Sequence, residues 1–176
     1  VRQLTAQGCD VATCDVIVEN LAETVDICAK DGNPGAILTH MADVSDEAQV
    51  LSFRDAVATW RPHVNVLFNN AGIGGGGSIV ESDRTEWEKT FGVCWYGVYY
   101  NTRAFLPLLL KAPFGHVVNT SSVNGFWASL GPNTAHTAYS AAKFAVKGFT
   151  EALITDFRMN APNYAAYRNS TRLNTS

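Results

Sequence analysis

The stretch "AYSAAKFAVKG" (residues 138–148) holds a tyrosine and a lysine four positions apart. On a helix that spacing puts Tyr139 and Lys143 on one face, about one turn apart. A lone tyrosine is a poor acid–base group at neutral pH, because its reference pKa is about 10. A neighbouring ammonium favours the phenolate, every tenfold gain in acidity corresponding to about 1.4 kcal/mol, and such a pair can exchange a proton with a hydroxyl. An amphipathic helix also carries tyrosines and lysines for no chemical purpose, so the neighbours decide. Upstream lies "HVVNTSSVNGF" (116–126), where a serine hydroxyl at the end of a strand can hydrogen-bond a substrate oxygen and polarise a carbonyl. Further upstream, "VLFNNAG" (66–72) ends in Asn70, Ala71 and Gly72, a tight turn with room for a flat ring or a ribose.

Positioning these groups requires strands that end where they stand. Residues 1–7 read as a helix closed by Gly8, followed by a strand over 9–15 that ends in Asp15. Leu21, Val25 and Cys28 recur at helical spacing within 18–30, and the turn "DGNPG" follows. A second strand is expected over 36–44. Ser45, followed by Asp46 and Glu47, is the expected cap of a helix running to about Trp60. The third strand, 64–72, is apolar almost throughout, as for a strand covered on both faces. A long helix is expected over 84–111, a fourth strand over 115–122 and a last helix from Thr137 to about Phe157.

Strands alternating with helices at about 25–30 residues per unit predict an α/β fold. It is expected as a Rossmann-like, doubly wound parallel sheet in three layers, over residues 1–160, with 161–176 as a polar tail. Ligands of such sheets bind beyond the carboxyl ends of the strands, where Asp15, Asp43, the Asn-Asn-Ala-Gly turn and Ser121/Ser122 all fall.

Asn-Asn-Ala-Gly, then Ser-Ser, then Tyr-x-x-x-Lys, in this order, resembles the short-chain dehydrogenase/reductase family over roughly residues 1–160. The resemblance implies an oxidoreductase moving a hydride between NAD(P) and a secondary alcohol or ketone. It makes Tyr139 the acid–base, Lys143 the group that binds the nicotinamide ribose and lowers the tyrosine pKa, and Ser122 the carbonyl-orienting serine. Asn70, Ala71 and Gly72 resemble the turn beside adenosine and sheet, and Asp43 and Val44 the adenine-side pair. Asp15 resembles the acid that accepts hydrogen bonds from the adenosine ribose. A carboxylate there repels a 2′-phosphate and no arginine follows in "DVIVEN", so NAD is expected over NADP; an ordinary turn aspartate is the other reading of Asp15.

The chain also departs from the family pattern. The phosphate loop between first strand and first helix is absent, and "NAPNYAAYRN" supplies neither the next strand nor its Pro-Gly turn, so the chain reads as truncated at both ends. "NNAGIGGGGS" contains G-x-G-x-x-G at Gly72, Gly74 and Gly77, but it follows the third visible strand and "SIVESDRTEW" does not open into an apolar-periodic helix. That context fails the phosphate-binding pattern, and the stretch reads as a flexible loop at the rim of the site. Aligning Gly97 puts Cys94 where the family has a relay asparagine; a thiol donates weakly and lacks a carbonyl, so core filling is the preferred role. Ser122 and Tyr139 stand 17 positions apart, which enlarges the loop "FWASLGPNTAH". Phe126, Trp127 and His136 in it line a substrate pocket or simply pack the loop.

Composition narrows the rest. A net charge of −3 offers no basic field for nucleic acid, four scattered cysteines suggest neither disulfides nor zinc, and no apolar run approaches the about 20 residues of a membrane span. A cytoplasmic location is expected. The 84–111 helix is apolar nearly all round, so its outer face requires a cover. The resemblance implies a homodimer or homotetramer through it, an extra core layer being the alternative. Two functional readings remain: an alcohol dehydrogenase or ketoreductase, or a non-catalytic relative that keeps only folding or partner binding.

Overall fold

The computed structural model describes residues 1–129, 131 and 133–169. They form a Rossmann-like α/β fold in which every strand pairing is parallel. Two compact units divide the chain, Val1–Pro62 and a second that starts at His63.

In the first unit, helix α1 (Arg2–Ala6) leads to strand β1 (Val11–Asp15), helix α2 (Val18–Lys30), strand β2 (Ile37–Met41) and helix α3 (Glu47–Trp60). β1 and β2 pair in register from Val11 opposite Ile37 to Asp15 opposite Met41. Leu21 and Cys28 of α2 are buried, as are Val50, Phe53 and Val57 of α3. Val25 is 37% exposed. The cap of α3 is Asp46 rather than Ser45: its carboxylate accepts from the backbone N–H of Ala48 and Gln49. Ser45 is otherwise engaged, its hydroxyl donating to Asp43 Oδ1 at 2.6 Å.

In the second unit, strand β3 (Val66–Asn69) is followed by helix α4 (Arg84–Phe91), a π-helical turn (Gly92–Tyr96) and helix α5 (Gly97–Leu109). Strand β4 (Gly115–Thr120), a 3-10 turn (Val123–Gly125), helix α6 (Thr137–Asn160) and strand β5 (Tyr164–Asn169) complete it. The sheet order is β3-β4-β5. The expected single helix over 84–111 is thus two helices joined by a π turn, a wider winding that re-aims side chains and recurs at functional sites.

Two expectations are corrected. β3 is not covered on both faces: Leu67 and Asn69 are buried while Val66 and Phe68 are exposed. The buried face is the one that meets α5. The segment after the last helix does make a strand, β5, paired with β4 from Gly115–Tyr164 to Thr120–Asn169. Its formation rests on backbone pairing, on Ala166, which is buried, and on Tyr164, whose hydroxyl donates to the Ala112 carbonyl at 2.7 Å. The remainder of the expected tail, 170–176, lies outside the described residues.

Buried polar side chains tie the sheet to the helices on either side. Asn69 Nδ2 donates to Asn119 Oδ1 (2.8 Å) and to Thr102 Oγ1 on α5 (3.0 Å). Asn119 Nδ2 donates in turn to Thr150 Oγ1 on α6 (2.9 Å). Both Asn119 and Thr150 are fully buried, so truncating one leaves partners with nowhere to turn. Asn119→Ala is expected to cost about 3 kcal/mol from cavity and lost partners together. A shift in the urea unfolding midpoint measures it, and a midpoint equal to wild type would show that the ladder contributes nothing.

Candidate active site

Strands β3 and β4 end side by side, at Asn69 and Thr120, and α6 runs past those ends. Lys143 is almost fully buried, 2% exposed, and its Nζ donates to the Thr120 carbonyl at 2.8 Å. Burial penalises the ammonium and pushes its pKa below the usual lysine value; Cys94 nearby acts in the opposite direction. One turn earlier, the half-buried Tyr139 presents its ring to the same cation, 5.5 Å from Nζ to the ring centroid. The helical spacing therefore brings the pair together. Gly72 borders it as well: a Cβ at that position would lie 3.7 Å from Lys143 Nζ and 3.8 Å from Cys94 Sγ.

The serines divide their tasks. Ser121, buried, donates to the backbone carbonyl of Lys143 (3.2 Å) and fastens the end of β4 to α6. Ser122 is half-buried and caps the 3-10 turn, its Oγ accepting from the Asn124 N–H (3.2 Å). Asn124 carries the connection onward, its Nδ2 donating to Ser140 Oγ (3.1 Å), which donates to the Ala128 carbonyl (3.0 Å). Sequence reasoning missed Asn124, Ser140 and the Thr120 carbonyl. The asparagine of "VNG" was the available signal, a buried amide beside a turn; a backbone acceptor leaves none.

Asn70 is exposed, and its Oδ1 accepts from Thr120 Oγ1 (3.0 Å), joining the turn after β3 to the end of β4. Ala71 and Gly72 are exposed beside it. Cys94 stands on the π turn, fully buried, and its thiol donates to the Ile73 carbonyl (3.3 Å). It both fills core and pins the chain just beyond the Asn-Asn-Ala-Gly turn.

The three residues expected on the substrate side differ in their surroundings. His136 neighbours Tyr139, ring centroids 6.4 Å apart. Phe126 lies under the ammonium of Lys147 at 5.4 Å, and Trp127 is 71% exposed. Leu130 and Pro132, in the same enlarged loop, lie outside the described residues.

The remaining residues expected on the cofactor side, Asp15, Asp43 and Val44, belong to the first unit. Asp15 ends β1, and its Oδ1 accepts from the Ile17 N–H (2.9 Å). Asp43 Oδ1 accepts from the N–H (2.8 Å) and hydroxyl (2.6 Å) of Ser45, so that oxygen shapes the turn into α3. Val44 is half-buried next to it. Among the described residues no group of three or more His, Cys, Asp or Glu side chains is placed to hold a metal, and no helix is long and apolar enough to cross a membrane.

The chain matches the short chain dehydrogenase family over residues 1–161. It is 35% identical over 155 residues to a meso-2,3-butanediol dehydrogenase of Serratia marcescens, covering 88% of this chain and 58% of that protein. A short chain dehydrogenase/reductase from Burkholderia phymatum, solved in complex with NAD, superposes with a TM-score of 0.86 at 34% identity, over 96% of this chain and 58% of that one. A metagenomic short-chain oxidoreductase in complex with NADP superposes with a TM-score of 0.84 at 26% identity, over 96% of this chain and 73% of that one. The chain spans 52% to 62% of the length of the curated relatives it matches.

Proposed function

This chain belongs to the short chain dehydrogenase family, and on that premise we propose that it moves a hydride between a nicotinamide cofactor, preferably NAD, and a secondary alcohol or ketone. The observation that carries the reading is the buried Lys143 ammonium, seated on the Thr120 carbonyl with the Tyr139 ring 5.5 Å away. A buried cation beside a phenol is the arrangement that suits proton exchange with a hydroxyl.

The residues fit a nicotinamide nucleotide. Among the described residues Lys143 Nζ makes one hydrogen bond, which leaves two further N–H donors suited to the hydroxyls of a ribose. The missing side chain of Gly72 leaves space beside that ammonium. In the first unit, Asp15 Oδ1 accepts from the Ile17 N–H, and among the described residues its second carboxylate oxygen makes no hydrogen bond, as an acceptor for ribose hydroxyls requires.

A bound nicotinamide supplies the hydride acceptor or donor. In alcohol oxidation the Tyr139 phenolate would take the substrate's O–H proton at Oη, and in ketone reduction the Tyr139 phenol would return a proton to the substrate oxygen. Lys143 places positive charge where the phenolate forms. The Ser122 hydroxyl orients the substrate oxygen, and His136 beside Tyr139 helps shape the space the substrate enters. The relatives solved with NAD and with NADP support the cofactor class, and the butanediol dehydrogenase supports a hydroxyl-bearing substrate.

Self-association through α4 and α5 belongs to the same reading. Tyr96 and Tyr99 are 43% and 36% exposed. They stand in a run of ring contacts that includes Trp95, Tyr100 and Phe149. An exposed aromatic surface of this kind is enriched where proteins meet.

Asp15→Ala tests the cofactor assignment. The ratio of kcat/KM for NAD over NADP is expected to fall roughly tenfold, since the charge that repels a 2′-phosphate is gone. An unchanged ratio would remove Asp15 from the ribose site.

A further inference from the structure

The stretch "GIGGGG" closes a joint. Thr137 is the first residue of α6, and the residue before it, His136, offers the helix no side-chain cap. The free N–H groups of a first turn need acceptors from elsewhere. Here the Gly77 carbonyl takes the Thr137 N–H at 2.9 Å and the Thr137 hydroxyl at 2.8 Å. The hydroxyl oxygen in turn accepts from Trp87 Nε1 on α4 at 3.0 Å. Three segments, the glycine stretch, α4 and α6, therefore meet on one threonine, two residues before Tyr139.

Only glycine allows the joint to close. A Cβ at Gly77 would lie 2.1 Å from the Ala135 carbonyl oxygen, inside any real contact distance. Gly76 has φ +56°, and a Cβ there would lie 2.6 Å from the Trp87 Cα. Both obstacles are backbone, which cannot swing aside as a flexible side chain would. Gly76 and Gly77 thus lie against the backbone of Trp87 and Ala135, within the stretch expected as a rim loop.

We infer that Thr137 is a positioning residue for Tyr139, held by the Gly77 carbonyl and the Trp87 indole, and that Gly76 and Gly77 are the seat of this joint. The inference rests on the acid–base reading of Tyr139. The first turn of α6 carries Tyr139, and the joint sets where that turn begins. Loosening it lets the phenol sample positions away from the reacting oxygen, and small misplacements of catalytic groups lower the chemical step more than binding.

The test is Thr137→Val, which keeps shape and N–H while deleting the hydroxyl of an exposed residue, alongside Thr137→Ser, which restores it. With NAD and meso-2,3-butanediol as the probe pair, Thr137→Val is expected to lower kcat roughly three- to tenfold with KM unchanged, and Thr137→Ser to recover it. Amide hydrogen exchange over residues 137–141 is expected to rise in the valine variant and stay normal in the serine variant. Equal kcat in wild type and Thr137→Val would overturn the inference. So would unchanged exchange over 137–141, which decides the matter even where turnover of the probe is too slow to follow. Retained turnover in Tyr139→Phe, by contrast, sinks the acid–base reading while exchange still reports on the joint.

Discussion

Tyr139→Phe is expected to reduce turnover about a thousandfold while leaving NADH affinity within about twofold of wild type. The substitution removes one oxygen and nothing else of the ring that faces Lys143 at 5.5 Å and His136 at 6.4 Å. Packing of the half-buried side chain is retained, so the melting temperature is expected to stay put. What disappears is the phenol that exchanges a proton with a substrate hydroxyl beside the Lys143 ammonium. Steady-state rates with a panel of secondary alcohols, read against calorimetric NADH binding, separate the two effects. Turnover within tenfold of wild type would reassign the proton to another group.

Lys143→Met is expected to lose turnover by more than a hundredfold and to weaken NADH binding at least tenfold. The two have similar length, but methionine offers no N–H to a ribose and no charge to a forming phenolate. Stability is expected to move the other way. The wild-type ammonium is 2% exposed and gains one hydrogen bond from protein, so holding its charge out of water opposes folding. Its folded-state pKa lies below the ordinary 10.5, so between those two values the unfolded chain binds more protons than the folded one. Stability contributed through this group therefore rises with pH across that window, up to about 10.5, and is lowest where the lysine is charged in both states. Urea midpoints at two alkaline pH values measure the rise, which is expected to be smaller in the methionine variant. A methionine variant that unfolds more readily at neutral pH would show that the lysine is structural.

Several parts of this architecture were legible in the residues themselves. α2 follows the expected 18–30 to the residue, because Leu21 and Cys28 mark a helical face and "DGNPG" stops it. The Tyr139–Lys143 pair followed from spacing alone. Other parts depend on partners distant in sequence. The π turn at 92–96 hardly alters an apolar pattern that already runs nearly all round the helix, so one long helix was the natural reading. β5 contains Tyr-Ala-Ala, weak as a strand signal, and becomes a strand because β4 has a free edge to pair with. Ser121 and Ser122 are chemically identical in sequence; only the fold turns the first onto the Lys143 carbonyl and the second into a cap. Glycines report the absence of a side chain, and what fills the space at Gly77 is the Ala135 carbonyl, far along the chain.

The assignment of Lys143 and Tyr139 to a nicotinamide site is tested most directly by calorimetric titration of NADH into this chain and into its Lys143→Met variant. Saturable binding at one NADH per chain, at least tenfold weaker in the variant, is the predicted result. A folded chain that takes up no NADH, or one whose affinity ignores the loss of Lys143, would contradict it.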